Sequence, residues 1–588
     1  MARTVGDFLL ARLQEWGVQR IFGYPGDGIN GIVAALGRND GIEFVQSRHE
    51  EEAAFMASGH ARFTDEVGIC LATSGPGAIH LLNGLYDAKM DRRPVMAIVG
   101  QTARTALGGS FQQEVDLPAL FKDVASEFVQ MCTAPAQARH LIDRAMRTAR
   151  ALRCVTVVIF PNDVQEADAV EAPEHAHATV HTGTDFTRPQ IVPADADLDR
   201  AAAILNQAER VAMLVGAGAA DATPEVIEIA GRLDAGIAKA LLGKMVLPDD
   251  LAFVTGQIGL LGTKASYKLM RECDALLMIG SSFPYGEYLP KEGQAKGVQI
   301  DIDPRMLSLR YPMDVALVGD AALTLRALLP RIKARGSNGW RTSIEHNVRA
   351  EIEEVDERAH LAADPVNPEL LYWELSSRAP ANALFAIDTG MSTTFFARAV
   401  KARAGMKMAV SGSLATMGPA VAYAIAAKFA YPERPAFALV GDGAMQMLGI
   451  NGLITVGKYW KQWRDPRFVV IVLNNRDLNM VSWELRGLGG SPKVPATQDV
   501  PDLDYARLAE LMGLRGLTIN APDGVVPVLE QALAETRPVL IDFHADPNVV
   551  ALPPHVPFEQ TKNFFTALAK GDPDRPAILR QLYRQMTA

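Results

Sequence analysis

Two stretches decide the fold of this chain: PAFALVGDG, residues 435–443, and FVVIVLNN, residues 468–475. Each begins with a run of apolar residues, which is typical of a strand that is buried on both faces of a parallel sheet. Turn-type residues follow each run at once. We therefore expect Asp442 and Asn475 to lie at the carboxyl ends of two strands, the edge at which open α/β sheets bind ligands.

The residues at these strand ends suit a magnesium site. A carboxylate, an amide oxygen and a backbone carbonyl are the hard oxygen ligands that Mg²⁺ prefers, and phosphate and water complete its shell. We expect the ligands to be Asp442, Asn475 and Asp477. Gly441 and Gly443 would let a diphosphate approach the backbone closely.

This pattern resembles the thiamine diphosphate motif, in which Gly-Asp-Gly is followed by a helix, a strand and Asn-Asn. The stretch between the two halves is a few residues longer than is usual in the family, and the surplus falls at residues 459–466. The alternative interpretation is an ordinary turn and a polar strand end. The resemblance implies that this part of the chain binds the diphosphate end of the cofactor.

A second block that resembles this family lies near the amino terminus. Arg48-His49-Glu50 opens a helix rich in small residues, with Tyr24-Pro25-Gly26 before it and Thr73-Ser74-Gly75-Pro76-Gly77 after it. The resemblance implies that Glu50 contacts ring nitrogen N1′ of the aminopyrimidine, a role that needs a buried carboxylate with a tuned pKa. The alternative is a helix cap, as for the two acidic residues that follow it.

Two further segments resemble cofactor-binding loops of the family. In SLATMG, residues 413–418, Met417 would support the bent cofactor and the carbonyl of Ala415 would accept from its 4′-amino group, although such a methionine otherwise fills a core. In DTGMST, residues 388–393, hydroxyls could donate to phosphate, although such a cluster is also a common turn. The resemblance implies this set of contacts to thiamine diphosphate: Pro25, Gly26, Glu50, Thr73, Gly75, Ser392, Thr393, Ala415, Thr416, Met417, Gly441, Asp442, Gly443, Ala444, Asn475, Met480 and Val481.

The predicted reaction centre combines features of two branches. Gln113 matches the active-site glutamine of the family, and Gln112 stands where an aromatic residue usually precedes it, which makes the acyl pocket more polar. Asn479-Met480-Val481 resembles the acetolactate synthases, and Trp483 either lines the substrate entrance or packs in the core. The expected catalytic residues are Glu50, Gln113, Met417 and Met480.

The middle of the chain is similar to the flavin-binding domain of pyruvate oxidases, quinone-reducing pyruvate dehydrogenases and acetolactate synthases. A glycine turn follows a predicted strand at residues 211–215, and similar turns recur along the segment. The alternative is a Rossmann-like domain without a nucleotide. The resemblance implies these contacts to FAD: Gly216, Gly218, Gly243, Lys244, Gly259, Gly262, Gly280, Ser281, Ser282, Phe283, Asp301, Asp303 and Asp320.

We therefore expect an α/β fold of three doubly wound parallel-sheet domains. The expected division is a pyrimidine-binding first domain at 1–165, a linker at 166–193, a central FAD/nucleotide-binding-type middle domain at 194–335, a linker at 336–361, a diphosphate-binding third domain at 362–545 and a C-terminal tail at 546–588. The second linker contains a charged, predicted helical stretch at about 344–358.

Composition excludes several other classes. The chain has 588 residues, a net charge of −10 and no basic stripe, which argues against nucleic acid as a partner. Four scattered cysteines, the absence of an apolar leader and the absence of a membrane-length apolar run predict a cytoplasmic protein. The amphipathic segment 577–586 is compatible with weak contact with the inner membrane surface. Three histidines, at 175, 177 and 181, are interpreted as part of a solvated linker rather than a metal site.

The resemblance implies a thiamine diphosphate- and Mg²⁺-dependent enzyme, closest to the pyruvate oxidase-like branch. It would decarboxylate a 2-oxo acid, pyruvate above all, and pass two electrons through FAD to a quinone or O₂. Two alternatives stay open: a carboligase of the acetolactate synthase kind with a non-redox flavin, and a non-catalytic cofactor-binding protein. The resemblance also implies a homotetramer or dimer with each cofactor between two subunits.

Overall fold

The computed structural model of the protein describes residues 3–336 and 338–587, apart from the side chain of Met586. Its strands form three sheets of six, and neighbouring strands within each sheet run parallel. Helices cover both faces of each sheet. The predicted α/β class with three doubly wound domains is therefore confirmed.

The first sheet consists of β1 (Arg20–Gly23), β2 (Glu43–Gln46), β3 (Gly68–Ala72), β4 (Val95–Gln101), β5 (Val129–Met131) and β6 (Val155–Pro161). Its order is β2-β1-β3-β4-β6-β5. The helices of this domain are α1 (Val5–Glu15), α2 (Asn30–Leu36), α3 (Glu50–Thr64), α4 (Pro76–His80), α5 (Leu82–Met90), α6 (Leu117–Phe121), α7 (Ala138–Leu152) and α8 (Asn162–Gln165). Along β3 the neighbours Ile69 and Cys70 enter different cores, which is why the strand is apolar throughout.

The second sheet consists of β7 (Val211–Val215), β8 (Gly236–Lys239), β9 (Val254–Gln257), β10 (Ala275–Ile279), β11 (Lys296–Asp301) and β12 (Val315–Val318). The helices are α9 (Asp195–Gln207), α10 (Thr223–Arg232), α11 (Lys264–Glu272) and α12 (Ala321–Leu328). The order β12-β11-β10-β7-β8-β9 is that of the Rossmann fold. Strands after β7 are added on one side of it up to β9, and those from β10 onward are added on its other side. At such a change in strand order, a crevice opens between the carboxyl ends of β7 and β10.

Residues 336–361, predicted as a linker, contain the long helix α13 (Trp340–Ala359). Trp340, Ile344 and Val348 recur at every fourth position and pack into a core of the middle domain. The indole N–H of Trp340 donates to the carbonyl of Val211 at 3.1 Å. The segment is thus a packed helix that leads from the second sheet to the third.

The third sheet consists of β13 (Leu384–Ile387), β14 (Lys407–Val410), β15 (Ala436–Gly441), β16 (Phe468–Asn474), β17 (Arg515–Ile519) and β18 (Val539–His544). The helices are α14 (Pro368–Arg378), α15 (Met391–Ala399), α16 (Ala420–Ala430), α17 (Asp442–Ala444), α18 (Ile450–Tyr459), α19 (Asn479–Gly487), α20 (Pro495–Gln498), α21 (Tyr505–Leu511) and α22 (Val525–Ala534). The order β14-β13-β15-β16-β18-β17 repeats the order of the first sheet. Since β15 and β16 are neighbours, the stretches 435–443 and 468–475 end side by side.

The first and third domains share one apolar core, in which α3 packs against α16. Gly59 makes this contact close, because a Cβ there would lie 3.0 Å from the Cα of Tyr423. At the same interface the buried Arg62 forms ion pairs of 2.9 Å with Asp87 and Asp91. Asp91 also accepts backbone N–H groups from the start of the 413–418 loop, so it joins the two domains.

The tail forms α23 (Phe558–Ala569) and α24 (Arg575–Thr587). Helix α23 lies on α19, where the ring of Phe564 stacks on that of Trp483. The buried guanidinium of Arg486 on α19 bonds to Asp572 and Asp574 of the tail. Over the described ranges, the helices are too short or too polar to cross a membrane.

Candidate functional site

Asp442 follows β15 and is 3% exposed. Its Oδ1 accepts the N–H of Gly443 at 2.7 Å, and its Oδ2 accepts the N–H of Asn475 at 3.0 Å and that of Arg476. Burial raises the pKa of Asp442 to about 6 although these bonds oppose the shift. Such a carboxylate, half-protonated near pH 6 and facing backbone donors, is stabilised in its charged form by a nearby cation.

Asp477 is expected to supply the backbone carbonyl of the ligand set, which stays a prediction, and its side chain is bonded within the protein. Its Oδ1 accepts from the hydroxyl of Ser482 at 2.7 Å and pairs with the ammonium of Lys493 at 3.1 Å. Its Oδ2 accepts from the amide of Asn479 at 2.8 Å. The carboxylate of Asp477 is thus fully used within the protein, and the structure offers the side chains of Asp442 and Asn475, but not that of Asp477, as metal ligands.

The loop after β13 presents hydroxyl groups at the start of α15. Those of Thr389, Ser392 and Thr394 are buried and have no hydrogen-bond partner among the described residues. Thr393, by contrast, donates to the carbonyl of Asp388 at 2.6 Å. Buried hydroxyls are normally bonded, so this set fits a ligand with several acceptor oxygens, such as a diphosphate.

Asp388 ties this loop to the 413–418 segment. It is fully buried, and it accepts the backbone N–H groups of Thr389, Gly418 and Ala420 at 2.9–3.1 Å. Burial raises the pKa of Asp388 to about 7. The sequence contains Asp388 in the loop motif, yet its anchoring of a distant segment depends on tertiary contacts.

Met417 lies against the Gly-Asp-Gly turn. A Cβ on Gly443 would lie 3.4 Å from the Cε of Met417, so glycine leaves room for this methionine. Ala415 has a φ of 53°, in the left-handed region, which turns the loop at that point. Gly441 has open space beside it, and Ala444 is buried in the short helix that follows. These residues, with Asp442, Asn475 and the hydroxyls of α15, form what we call the third-domain group.

Met480 and Val481 lie on α19, next to this group in the fold. Met480 packs against the core of the third domain, and Val481 is exposed. The indole of Trp483 donates to the amide oxygen of Asn479 at 3.2 Å and stacks on Phe564 of the tail. Trp483 is therefore part of the contact between α19 and the tail.

The predicted residues of the first domain come together as a second group. Glu50 begins α3 and is 8% exposed. Gly77 packs between Glu50 and Thr73: a Cβ added to Gly77 would lie 3.0 Å from the Oε1 of Glu50 and 2.7 Å from the Cγ2 of Thr73. Gly26 lies against Thr73, and Gly75 lies against Gln113.

Gln113 has a φ of 62° and accepts from the hydroxyl of Ser74 at 3.0 Å. Pro25 is exposed beside Gly26. We call Pro25, Gly26, Glu50, Thr73, Gly75 and Gln113 the first-domain group.

Sequence reasoning missed His80. Its Nδ1 lies 2.9 Å from the Oε2 of Glu50, and its ring lies 4.4 Å from the ring of His49. His49, Glu50 and His80 are the one set of three ligand-type side chains close enough to share a metal ion in the described parts of the chain. The only signal in the sequence was the position of His80 at the end of the short helix that Pro76 begins.

The two groups are linked through Asn83 on α5. Its amide donates to Glu51 at 2.7 Å and to the hydroxyl of Thr416 at 3.0 Å. Within residues 3–336 and 338–587, no hydrogen bond or ion pair joins a member of one group directly to a member of the other. Each group is thus assembled within its own domain.

The crevice of the middle domain lies where Gly216 and Gly218 follow β7 and Gly280 follows β10. A Cβ at Gly216 would lie 2.3 Å from the carbonyl oxygen of Gly280, so the two loops touch through their glycines. Asp301 at the end of β11 is 7% exposed, and burial raises its pKa. Ser281 is buried and Ser282 is exposed at the same edge.

Other residues predicted to contact FAD have partners of their own. The buried ammonium of Lys244 donates to Gln257 at 3.2 Å and to the carbonyl of Ala397 at 3.1 Å, so it is not free for a ligand. Asp303 pairs with Arg92 of the first domain at 2.9 Å.

The remaining FAD predictions fall at close backbone contacts and at a helix cap. Phe283 packs against Gly259, Gly262 lies close to the carbonyl of Gln257, and Gly243 lies close to that of Val215. Asp320 caps α12. The Rossmann order, the glycine crevice and Asp301 fit a dinucleotide, and the individual contacts to FAD, that of Lys244 included, stay predictions.

Comparison with known proteins agrees with this geometry. The chain matches the N-terminal thiamine pyrophosphate (thiamine diphosphate) binding domain of the thiamine pyrophosphate enzymes over residues 3–120, their central domain over 198–328 and their C-terminal thiamine pyrophosphate binding domain over 388–543.

Relatives match over most of their length. The putative thiamine pyrophosphate-containing protein YdaP of Bacillus subtilis (strain 168) is 34% identical over 97% of this chain and 96% of its own. Pyruvate oxidase of Lactiplantibacillus plantarum is 29% identical over 91% and 88%, respectively. The acetolactate synthase isozyme 2 large subunit of Escherichia coli (strain K12) is 29% identical over 91% and 94%. The chain therefore belongs to the thiamine pyrophosphate enzyme family.

Proposed function

We propose that this protein is a thiamine diphosphate- and Mg²⁺-dependent enzyme that decarboxylates a 2-oxo acid, with pyruvate as the first candidate. The observation that carries the proposal is the third-domain group, in which the buried carboxylate of Asp442 lies in the same domain as three buried hydroxyls that have no hydrogen-bond partner among the described residues. A buried acid and several free donors suit a divalent ion and a diphosphate better than they suit an empty protein interior.

The residues of the third-domain group would hold the diphosphate end. Asp442 and Asn475 would bind Mg²⁺, and Thr389, Ser392 and Thr394 would donate hydrogen bonds to phosphate oxygens. Met417 would support the middle of the cofactor from its place against Gly443.

Glu50 would hold the proton that is shared with ring nitrogen N1′. Its low exposure strengthens that interaction, because a hydrogen bond to a charged group is stronger where water is excluded. His80 keeps the carboxylate in place through the 2.9 Å contact with its Oε2. Gln113 and Met480 would face the substrate. When bound, thiamine diphosphate supplies the electron sink that decarboxylation of a 2-oxo acid requires.

We further propose that FAD, bound at the crevice between β7 and β10, takes two electrons and passes them to a quinone or O₂. The Rossmann order of the second sheet supports a dinucleotide, and one relative is named a pyruvate oxidase. The competing candidate is a carboligase with a non-redox flavin, which the names of the acetolactate synthase relatives favour. A non-catalytic binding protein is disfavoured because one chain carries both the buried Glu50 and the residues of the third-domain group.

Among the described residues, no hydrogen bond or ion pair joins the two groups directly, and this supports a homo-oligomer. We propose that the first-domain group of one copy faces the third-domain group of another, so that a dimer or tetramer completes each site. A cytoplasmic location, with weak contact of α24 with the membrane surface, belongs to the same proposal: Leu579 and Tyr583 on that helix are exposed.

A visible spectrum of the purified protein followed by anaerobic mixing with pyruvate, thiamine diphosphate and Mg²⁺ tests the proposal. A flavin band that bleaches on mixing supports oxidation, whereas acetolactate formation with the flavin still oxidised supports ligation. The Asp442→Ala variant is the control, because it should lose Mg²⁺-dependent cofactor binding while keeping the flavin band. Tight cofactor binding without consumption of any 2-oxo acid would leave only the non-catalytic alternative.

A further inference from the structure

A cavity of about 60 Å³ lies where the middle domain, helix α13 and the third domain meet. Its charged and amide lining comes from all three parts of the chain: Lys244, Asp249, Gln257, Glu351, Arg398 and Lys401. The part of α15 that reaches the cavity is its carboxyl-terminal half, whereas the unpartnered hydroxyl of Ser392 lies in the first turn of the same helix. Six residues of α-helix separate Ser392 from Arg398, or about 9 Å. The interdomain cavity is therefore separate from the third-domain group.

Gln257 directs unpaired donors into this cavity. The side chain is 1% exposed, and its Oε1 accepts from the ammonium of Lys244 at 3.2 Å. Because Lys244 can only donate, the amide orientation is fixed with the oxygen towards Lys244 and the Nε2 away from it. That Nε2 has no hydrogen-bond partner among the described residues. Leaving such a donor unpaired costs about 1–3 kcal/mol, which an acceptor in the cavity would offset.

Arg398 is a half-buried cation that makes no ion pair within 4.0 Å among the described residues, although Glu351 and Glu369 lie near it. Its Nη2 donates to the carbonyl of Leu260 at 3.2 Å, and its Nε has no partner in the part of the chain that the structure describes. Burial lowers the pKa of Arg398 to about 10, so the guanidinium is still charged at neutral pH. The nearby carboxylate of Glu351 instead accepts the N–H groups of Lys264 and Ala265 at 2.9 and 3.3 Å.

The side chains around the cavity carry more positive than negative charge. Asp249 is shared by the ammonium groups of Lys239 and Lys244, at 2.6 and 3.5 Å. Arg358, which also lies near Arg398, is already paired with Glu369 at 2.8 Å. Glu351 is the remaining acid of the lining, against the cations of Arg398 and Lys401. Each carboxylate therefore faces more than one cation, and the excess favours an anion.

We propose that the interdomain cavity is a binding site for one small oxyanion, a phosphate or a carboxylate of similar size. The Nε2 of Gln257 and the guanidinium of Arg398 would donate to its oxygens, as planar and charged donors do to such groups. A water needs about 10–15 Å³ of such space, so the cavity has room for an anion the size of inorganic phosphate. Since the ligand would touch both domains and α13, its binding would stabilise their arrangement around α15.

Equilibrium dialysis of the protein with inorganic phosphate, in the presence of saturating thiamine diphosphate and Mg²⁺, tests the proposal. The cofactor keeps phosphate out of the third-domain group. We expect one saturable site per chain that Gln257→Leu and Arg398→Met each weaken at least tenfold. Arg403→Met is the matched control, because Arg403 lies in the same domain and bonds to the carbonyl of Ala379 instead.

A second arm with propionate, which has a carboxylate but cannot be decarboxylated as a 2-oxo acid, separates the two sources of the anion. Saturation by phosphate alone assigns the site to phosphates, and displacement of phosphate by propionate assigns it to carboxylates. If Arg398→Met does not fold, Arg398→Lys and Gln257→Leu carry the test. No saturable binding of either anion, or equal binding by the Gln257 variant and the control, would overturn the proposal.

Discussion

Lowering the pH from about 8 to about 5 is expected to weaken Mg²⁺-dependent cofactor binding through one side chain, Asp442. Burial raises the pKa of this carboxyl to about 6 in the metal-free protein. The metal binds the charged carboxylate, so a proton competes with it below that pH. With a pKa near 6, competition is negligible at pH 8 and reduces affinity about elevenfold at pH 5, or roughly 1.4 kcal/mol.

The same shift makes a prediction about stability. The folded-state pKa of Asp442 lies above its ordinary value of 3.8, so the folded chain binds this proton more tightly than the unfolded chain does. Ionisation of Asp442 therefore destabilises the cofactor-free protein as the pH rises from about 4 to about 6, by up to roughly 3 kcal/mol. Bound Mg²⁺ should remove this loss, because it stabilises the charged form.

The assay is a titration of the protein with Mn²⁺, a Mg²⁺ substitute, at several pH values and a fixed concentration of thiamine diphosphate, followed by tryptophan fluorescence. A titration of free thiamine diphosphate with Mn²⁺ at the same pH values measures how far protons compete with the metal for the cofactor itself, and this effect is subtracted. Asp442→Ala supplies the baseline without the carboxylate. An affinity that does not change between pH 8 and pH 5 after this subtraction would refute the reasoning.

Three further outcomes are expected. The Glu50→Gln variant keeps the shape of the side chain and one acceptor, so it should bind cofactor yet lower turnover about 10²–10⁴-fold. The matched variant Glu51→Gln should keep its turnover, and equal rates for both variants would contradict the role of Glu50. Gly68→Ala should lower the melting temperature, because its Cβ would lie 2.0 Å from a backbone oxygen of α3. Gly231→Ala is the control: it adds a Cβ in open space on α10 and should not lower the melting temperature, since alanine favours a helix over glycine. Arg486→Met should remove the closest cation of two tail carboxylates and leave only Lys493, 3.9 Å from Asp574. We expect this change to cost about 3–5 kcal/mol and to make the tail sensitive to limited proteolysis; an equally resistant tail would show that the ion pairs of Arg486 do not hold it.

Local patterns were enough to predict the three sheets. The apolar runs at 435–440 and 468–473 became β15 and β16, because a strand that is buried on both faces needs apolar residues at every position. The placement of Asp442 and Asn475 at strand ends follows from the same runs. Within the predicted linker at 336–361, the helical stretch expected at about 344–358 lies in α13, and only the tertiary structure shows that the apolar side of this helix packs on the middle domain.

The sequence by itself determined the fold class, the family resemblance and the residue types of the two groups, since strand periodicity and turn chemistry are local properties. Only the tertiary structure decided which side chains are free to bind. It placed His80 against Glu50, turned the carboxylate of Asp477 towards Lys493 and buried Lys244 between two domains. These contacts depend on how distant helices dock, and a docking angle is set by packing across the whole core rather than by any short stretch of chain.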